Sequence, residues 1–163
     1  MTCKRFRHDV RISAMDRRCL AAILEAELNG TPVNAHTWRA KNAKFILRLP
    51  DLMRGQLLTL KDNTQYVITL YGLMRLGGER AGAALSLCAR LFRSLRKHYT
   101  DHPSEPISAG ELAKRLKVAQ GEVRQSAHFL SRSPVYLSIQ ADQKDVMLIP
   151  NENYVMLKSF DGI

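Results

Sequence analysis

The stretch from Gln120 to Arg132 combines an apolar stripe with polar side chains of the kinds that recognise DNA bases. Val123, Ala127 and Leu130 recur at positions i, i+4 and i+7, which predicts a helix that buries one face. Arginine can donate two hydrogen bonds to guanine and glutamine can pair with adenine, each worth about 1–3 kcal/mol of discrimination. The polar residues that we expect on the outer face are Gln120, Arg124, Gln125, His128 and Arg132. A polar surface that contacts only water is the alternative interpretation.

A second helix and a tight turn precede this segment and must position it. Ser108 and Glu111 have the spacing of a capping box, which predicts that a helix begins there. The apolar residues that this helix would bury are Leu112, Ala113 and Leu116. Residues 117–119 would form the turn into the next helix. Upstream, residues 82–99 show the apolar spacing of a longer helix.

Two apolar runs follow the helix that Pro134 is expected to stop. Residues 136–139 alternate between apolar and polar side chains as a half-buried strand does, and residues 146–149 read as the return strand. The polar segment 141–145 would be the turn between them. Residues 154–160 are expected to close this part of the chain as a short helix.

Helix, tight turn, helix and hairpin in this order resemble the winged helix-turn-helix superfamily. The residues that carry the resemblance are Glu111-Leu112-Ala113-x-x-Leu116, then Val118, and then Val123 with Leu130. The resemblance is at superfamily level and is clearest for residues 82–160. It implies that residues 120–132 enter the major groove of DNA and that the hairpin forms a wing.

Two positions depart from the pattern of that superfamily. Lys117 stands where the turn often has glycine, so a positive φ there would cost about 1 kcal/mol or be avoided. Ala119 stands where the recognition helix often has a Ser or Thr cap, and Gln120 is a weak substitute. Both departures also fit a winged helix that binds protein instead of DNA.

The amino-terminal half reads as a looser copy of the same order of elements. Residues 16–28 predict a helix that Asn29-Gly30 stops. Asn34 can cap a second helix through Trp38 to Lys41, and residues 43–49 suggest a third helical stretch that Pro50 breaks or restarts.

A second hairpin follows in this half. Residues 57–60 and 65–70 would be its strands, joined by the polar turn 61–64, and Thr69-x-x-Gly72 resembles an exit from wing to helix. The sequence therefore predicts a mainly α protein with small β-hairpins (α+β), built of tandem winged helix-turn-helix modules. We expect an amino-terminal module with a basic arm at 1–77, a carboxy-terminal module at 79–163, and the boundary at Gly77-Gly78.

Basic side chains flank the expected recognition helix and wings, where they would contact DNA phosphates. The candidates are Lys114, Lys117, Lys144 at one wing tip, Lys61 at the other, and Arg5 and Arg7 in the amino-terminal arm. Residues 1–78 hold 13 Lys or Arg against 6 Asp or Glu, and the formal net charge of the chain is +10, which favours a polyanionic partner. A solvated basic surface is the alternative. For Arg90, Arg93 and Lys97, which would line one face of the long helix, we expect solvent or an acidic partner in preference to a primary DNA contact.

The cysteines and histidines give little support for redox chemistry or metal binding. Cys3, Cys19 and Cys88 are odd in number and have no C-x-x-C spacing, which favours a reducing compartment. Cys88 is expected to be buried, whereas the basic surroundings of Cys3 and Cys19 could lower a thiol pKa. His98-x-x-x-His102 lacks accompanying ligands, so we expect no metal site and no cofactor.

No catalytic motif competes with this interpretation. The glycines match neither a phosphate-binding loop nor a dinucleotide fingerprint, and no nucleophile elbow is present. We therefore expect a non-enzymatic, cytoplasmic and nucleoid-associated protein that binds double-stranded DNA as a homodimer, as a transcriptional regulator or a DNA-handling accessory factor. The alternative is a winged-helix subunit that binds protein within a larger complex of chromosome-organising or phage-defence type.

Overall fold

A computed structural model of the chain describes residues 11–132, 137–141 and 145–150. The chain divides into two compact units between Leu76 and Gly77. Gly77 and Gly78 adopt φ angles of 65° and 85°, which residues with a Cβ atom rarely adopt. These two glycines therefore let the chain leave the last helix of the first unit and enter the first helix of the second.

The amino-terminal unit contains four α-helices, one 3-10 helix and one hairpin within its described residues. The elements are α1 (Ala14–Leu28), α2 (Ala35–Lys41), the 3-10 helix (Ala43–Arg48), α3 (Leu49–Arg54), β1 (Leu58–Lys61), β2 (Gln65–Ile68) and α4 (Leu70–Leu76). β1 and β2 are antiparallel, and Asn34 forms an isolated antiparallel bridge with Gln65 of β2.

Local sequence explains the starts of α1 and α2. The Ser13 hydroxyl accepts a hydrogen bond from the Asp16 N–H, and the Asp16 carboxylate accepts one from the Ser13 N–H, which completes a capping box. Asn34 caps α2 as the sequence predicts, because its side-chain oxygen accepts from the N–H groups of His36 and Thr37.

The third helical stretch differs from the expectation of one helix over residues 43–49. It is a 3-10 helix up to Arg48, and α3 starts at Leu49 with Pro50 in its first turn. Pro50 therefore restarts the helix, since a missing N–H costs nothing at that position. The second hairpin strand is also shorter than expected, because it ends at Ile68 and Leu70 already belongs to α4.

Gly72 permits the close approach of α4 to the hairpin. A Cβ atom on this residue would lie 2.1 Å from the carbonyl oxygen of Leu57 and 2.8 Å from a side-chain carbon of Ile68. The Thr69 hydroxyl donates to the carbonyl oxygen of Gln56 and accepts from the N–H of Gly72. The Thr69-x-x-Gly72 motif thus both starts the helix and packs it against the strand.

The carboxy-terminal unit contains a long helix, two shorter helices and a three-stranded antiparallel sheet. Its elements are α5 (Gly78–Asp101), β3 (Ile107–Ser108), α6 (Ala109–Leu116), α7 (Gln120–Ser131), β4 (Leu137–Ala141) and β5 (Val146–Pro150). The strand order is β3-β5-β4, so the short strand before α6 pairs with the second strand of the hairpin. Residues 154–160, expected as a closing helix, lie outside the described residues.

Each unit has its own apolar core. In the first unit Leu20, Ile23 and Leu73 are fully buried, and in the second Leu91, Phe129 and Leu130 are buried to the same extent or nearly so. Both units are mainly helical and carry small antiparallel sheets, which confirms the α+β class. Within the described residues, no helix is long and apolar enough to cross a membrane.

Candidate nucleic-acid interface

The turn between α6 and α7 places a lysine in the left-handed conformation, which costs free energy for a residue with a Cβ atom. α6 ends at Leu116 and α7 begins at Gln120, and Lys117 adopts the left-handed conformation with φ 55° and ψ 49°. The lysine accepts this conformation because the turn returns the N–H of Val118 to the carbonyl oxygen of Ala113. Of the two outcomes that the sequence left open at Lys117, the structure thus shows the positive φ.

α6 has the side-chain cap that the sequence predicts, whereas the start of α7 is held by an acidic side chain instead. The Ser108 hydroxyl accepts from the N–H of Glu111, as the capping box predicts, but the Glu111 carboxylate pairs with Arg115. At the start of α7, the Glu122 carboxylate accepts the N–H of Ala119 at 2.9 Å. α7 therefore begins at Gln120 even though Ala119 has no side-chain acceptor.

The buried stripe of α7 lies where the spacing predicts it. Val123, Ala127 and Leu130 are all fully buried, whereas Leu116 of α6, expected in the core, is only half-buried. The five polar candidates lie off this stripe and are exposed (Gln120, His128) or half-buried (Arg124, Gln125, Arg132).

Two of these candidates converge on one carboxylate, that of Asp145, which comes directly before β5 at the turn end of the hairpin. Gln120 Nε2 donates to Asp145 Oδ1 at 2.7 Å, and the guanidinium of Arg124 lies 3.2 Å from the same oxygen. The N–H of Val146 donates to Oδ1 at 2.7 Å, and the N–H of Gly110 donates to Oδ2 at 2.9 Å. Asp145 therefore joins the beginnings of β5, α6 and α7.

The charge state of Asp145 follows from these contacts. Burial opposes ionisation of its carboxyl group, but the hydrogen bonds from Val146, Gly110, Arg124 and Ser108 outweigh burial and hold its pKa well below the usual range. Asp145 is thus an anion at physiological pH. Gly110 is matched to this site, because a Cβ on that residue would lie 2.7 Å from Asp145 Oδ2.

Arg132 lies against an aromatic ring, whereas the other described basic candidates are exposed. The guanidinium carbon of Arg132 lies 4.8 Å above the ring centre of Phe129. Lys114 and Lys117 are exposed beside the turn, and Lys61 is exposed at the end of β1 in the other unit. The candidates that lie outside the described residues are Lys144, Arg5 and Arg7.

The basic face of α5 is exposed at Arg90, Arg93 and Lys97, as expected. Arg90 also donates to the carbonyl oxygen of Leu116 at 2.6 Å. The side chain therefore satisfies one of the terminal carbonyl groups of α6. It contributes to positioning the turn before α7 as well as to surface charge.

His98 has structural partners at both ring nitrogens. The ring is buried, Nε2 lies 2.8 Å from the carbonyl oxygen of Glu105, and Nδ1 lies 3.3 Å from a guanidinium nitrogen of Arg115. Because a carbonyl oxygen only accepts, Nε2 is the donor in its contact with Glu105. No group of three or more His, Cys, Asp or Glu side chains within the described ranges is placed to hold a metal ion.

The described cysteines are poor nucleophiles. Cys88 is buried as expected, and burial raises the pKa of its thiol to about 12. The expectation that Cys19 has a lowered pKa is wrong, because burial, followed by the nearby negative charge of Asp16, raises it to about 12. Sequence proximity to arginines suggested the opposite, but the Cys19 side chain is fully buried in the core of the amino-terminal unit. Cys3 lies outside the described residues.

In the amino-terminal unit, the corresponding helical segment exposes a large apolar side chain. Leu47, in the 3-10 helix, is 86% exposed and is the most exposed large apolar side chain among the described residues. Exposed Lys44 lies one 3-10 turn before it, with its ammonium group 5.0 Å from the ring centre of Phe45. Sequence reasoning counted this stretch as an ordinary apolar helix and missed the exposed leucine.

Trp38 packs inside this unit. It stacks on Phe45 with ring centres 5.7 Å apart, and its contact with Tyr66 is edge-on at 6.1 Å. The half-buried tryptophan thus belongs to the packing of α2 against the 3-10 helix and the hairpin.

Comparison of the chain with models of protein families, with curated proteins and with solved structures found no match.

Proposed function

We propose that the protein is a non-enzymatic DNA-binding protein built of two winged helix-turn-helix modules, and that it acts as a transcriptional regulator or a DNA-handling accessory factor. The support for the fold is the topology of the carboxy-terminal unit. A long helix, a short strand, two helices joined by a three-residue turn and a hairpin follow one another, with strand order β3-β5-β4. This is the order of a winged helix.

The amino-terminal unit repeats that order. α1 is followed by α2, by the helical stretch 43–54 and by the β1–β2 hairpin. Asn34, between α1 and α2, pairs with the second hairpin strand, just as β3 pairs with β5 in the other unit. The shared pairing supports a tandem arrangement beyond the order of elements alone.

The observation that carries DNA binding is the outer face of α7. Its first turn presents Gln120 and its side presents Arg124 and His128, while Lys114 and Lys117 lie exposed just before it. Residues near the amino-terminal end of a recognition helix contact base edges, and the basic residues beside it contact phosphates. The net charge of +10 suits a polyanionic partner. In this proposal the protein is a homodimer associated with the nucleoid.

A titration followed by a selection tests the proposal. Fluorescence anisotropy with a random-sequence duplex at two salt concentrations should show binding that weakens steeply with salt. Selection from a duplex pool should then enrich a palindromic site. Salt-sensitive binding without enrichment would indicate an accessory factor without base readout, and absence of binding at low salt would overturn the proposal.

Arg124→Ala is the sharpest single variant for base readout. We expect it to cost about 1–3 kcal/mol of binding free energy and to relax the preference at one base pair. Arg93→Ala is the matched control, because Arg93 is an exposed arginine on α5 of the same unit. Unchanged affinity and unchanged preference in Arg124→Ala would mean that α7 does not read DNA.

A protein-binding subunit is the second candidate, and exposed Leu47 favours it. A leucine that is 86% exposed costs free energy in water, which a partner surface would recover. Purification of the full chain after nuclease treatment in high salt should then retain a partner in fixed stoichiometry. Leu47→Ser should release that partner while leaving DNA affinity unchanged, whereas loss of DNA binding in this variant would assign Leu47 to the DNA interface.

A further inference from the structure

The amide group of Gln120 is held in one direction by a fixed acceptor. Its Nε2 atom donates to Asp145 Oδ1 at 2.7 Å. The Asp145 carboxylate accepts hydrogen bonds from the backbone N–H groups of Gly110 and Val146, so its position is fixed by the backbone of α6 and β5. Gln120 is the first residue of α7 and its side chain is exposed.

The chemistry of Asp145 decides which end of the amide faces it. Because the pKa of Asp145 is held well below its usual range, its carboxylate has no proton to donate and only accepts. The amide nitrogen of Gln120, and not the oxygen, must therefore point to Asp145. Oε1 is left on the other side of the amide, where a partner can reach it.

We propose that Asp145 is a positioning residue for base recognition, which makes Gln120 select a base that offers an exocyclic amino group. This inference rests on the DNA-binding function proposed above. In the major groove, adenine N6 and cytosine N4 are hydrogen-bond donors, whereas guanine and thymine present only acceptors. An amide fixed with its oxygen outward accepts from adenine or cytosine. The second hydrogen on Nε2 can reach adenine N7, which favours adenine of the two.

The guanidinium of Arg124 is oriented by the same carboxylate. Arg124 lies one helical turn after Gln120, at 3.2 Å from Asp145 Oδ1, and its Nε atom is buried and has no hydrogen-bond partner among the described residues. The two side chains thus approach DNA as a pair with opposite functions. Gln120 presents an acceptor, and Arg124 presents donors that suit guanine N7 and O6.

Substitution of Asp145 by asparagine should change the recognised base more than the affinity. An asparagine side chain has one acceptor oxygen and one donor nitrogen, and with Nδ2 at the position of Oδ1 the Gln120 amide can turn around and present Nε2 to DNA, at the loss of the hydrogen bond from Val146. We expect the wild-type chain to prefer adenine or cytosine by about fivefold at one position of the selected site. Asp145→Asn should lose that preference or shift it to guanine or thymine.

Two further variants separate positioning from charge and from folding. Asp101→Asn makes the same change in net charge at an exposed residue at the end of α5 and should leave the base preference intact. Gln120→Leu leaves the backbone hydrogen bonds of Asp145 in place and should erase the preference at the same position. The double variant Asp145→Asn/Gln120→Leu should equal Gln120→Leu there, because the two residues act through one contact.

The experiment is a selection from a random duplex pool with the full-length chain and these four variants, each first checked for cooperative unfolding. A lost or inverted preference in Asp145→Asn, with Asp101→Asn unchanged, supports the inference. A wild-type chain that binds duplex while Asp145→Asn or Gln120→Leu keeps the same preference overturns the inference and leaves the proposed function standing. A wild-type chain that binds no duplex overturns both.

Discussion

The two units share an order of elements but fix their third helix in different ways. In the amino-terminal unit, Asp16 at the start of the first helix binds Arg48 at the end of the 3-10 helix through two hydrogen bonds of 2.8 and 3.0 Å. In the carboxy-terminal unit, Asp145 at the turn end of the hairpin binds Gln120 and Arg124 of the third helix. Asp16 thus holds its helix from the first helix of the unit, and Asp145 holds its helix from the hairpin.

The difference determines which groups each unit offers to a partner. In the amino-terminal unit the half-exposed side chain of Arg48 is engaged with Asp16, and its neighbour Leu47 is the most exposed large apolar group among the described residues. Anchoring through Asp145 keeps Gln120 and Arg124 on the outer side of α7 and gives them a fixed direction. The carboxy-terminal unit is therefore the better candidate for base recognition, and the amino-terminal unit is the better candidate for protein contact.

The largest effect that we expect on stability is confined to the amino-terminal unit. Gly72→Ala would place a Cβ at 2.1 Å from a backbone carbonyl oxygen, which cannot move without displacing the hairpin. We expect a loss of about 3 kcal/mol in the free energy of unfolding. Trp38 is the only tryptophan and lies in this unit, so its fluorescence during urea unfolding measures the effect.

Gly82→Ala is the matched control in the carboxy-terminal unit. No heavy atom lies within 4 Å of the Cβ position, and Gly82 is exposed within α5. Alanine should therefore stabilise that helix by about 1 kcal/mol. If Gly72→Ala leaves the Trp38 transition unchanged, the close packing of α4 against the hairpin is wrong.

A smaller effect is expected from Asp16→Asn. The hydrogen bond from Arg48, followed by those from Ser13, lowers the pKa of Asp16 from its usual 3.8 to about 2, although burial opposes this. The unfolded chain therefore takes up the proton first as pH falls. The stabilisation is present above about pH 4 and is lost as pH falls through about 2.

Removal of the Asp16 carboxylate should lower the free energy of unfolding by about 2 kcal/mol at neutral pH. The stability measured by Trp38 fluorescence should then fall less steeply as the pH decreases from about 4 to about 2. Asp51→Asn is the control, because Asp51 also faces Arg48 but at 3.7 Å and with half of its side chain exposed. It should change the free energy of unfolding by less than about 1 kcal/mol. Equal effects of the two variants would contradict the assignment of Asp16 as the anchor.

The smallest effect belongs to the turn of the carboxy-terminal unit. Lys117 has φ 55°, so Lys117→Gly should raise the free energy of unfolding by about 0.5–1 kcal/mol. Lys114→Gly, inside α6, should lower it by about 1 kcal/mol. Thermal unfolding followed by far-UV circular dichroism compares the two, and destabilisation by both would mean that Lys117 is not left-handed.

Patterns over a few residues predicted much of the fold. The Asn34 cap, the Asn29-Gly30 stop, the Thr69-x-x-Gly72 exit and the stripe of α7 all depend on neighbours within one or two helical turns. Such local signals act through backbone hydrogen bonds and burial that nearby residues decide. The 3-10 geometry of residues 43–48 and the lowered reactivity of Cys19 were not predictable in this way, because both depend on packing against distant elements.

The sequence by itself determined the order of most helices and of the two hairpins, and which face of α7 is buried. It also determined the polar residue types on the opposite face, since these follow from periodicity and composition. Only the tertiary structure decided how those residues are held. Asp145 lies 25 residues from Gln120 and 21 from Arg124, and Asp16 lies 32 from Arg48. Such pairs meet only when hairpin register and helix packing are set, and no local pattern encodes which carboxylate a side chain will reach.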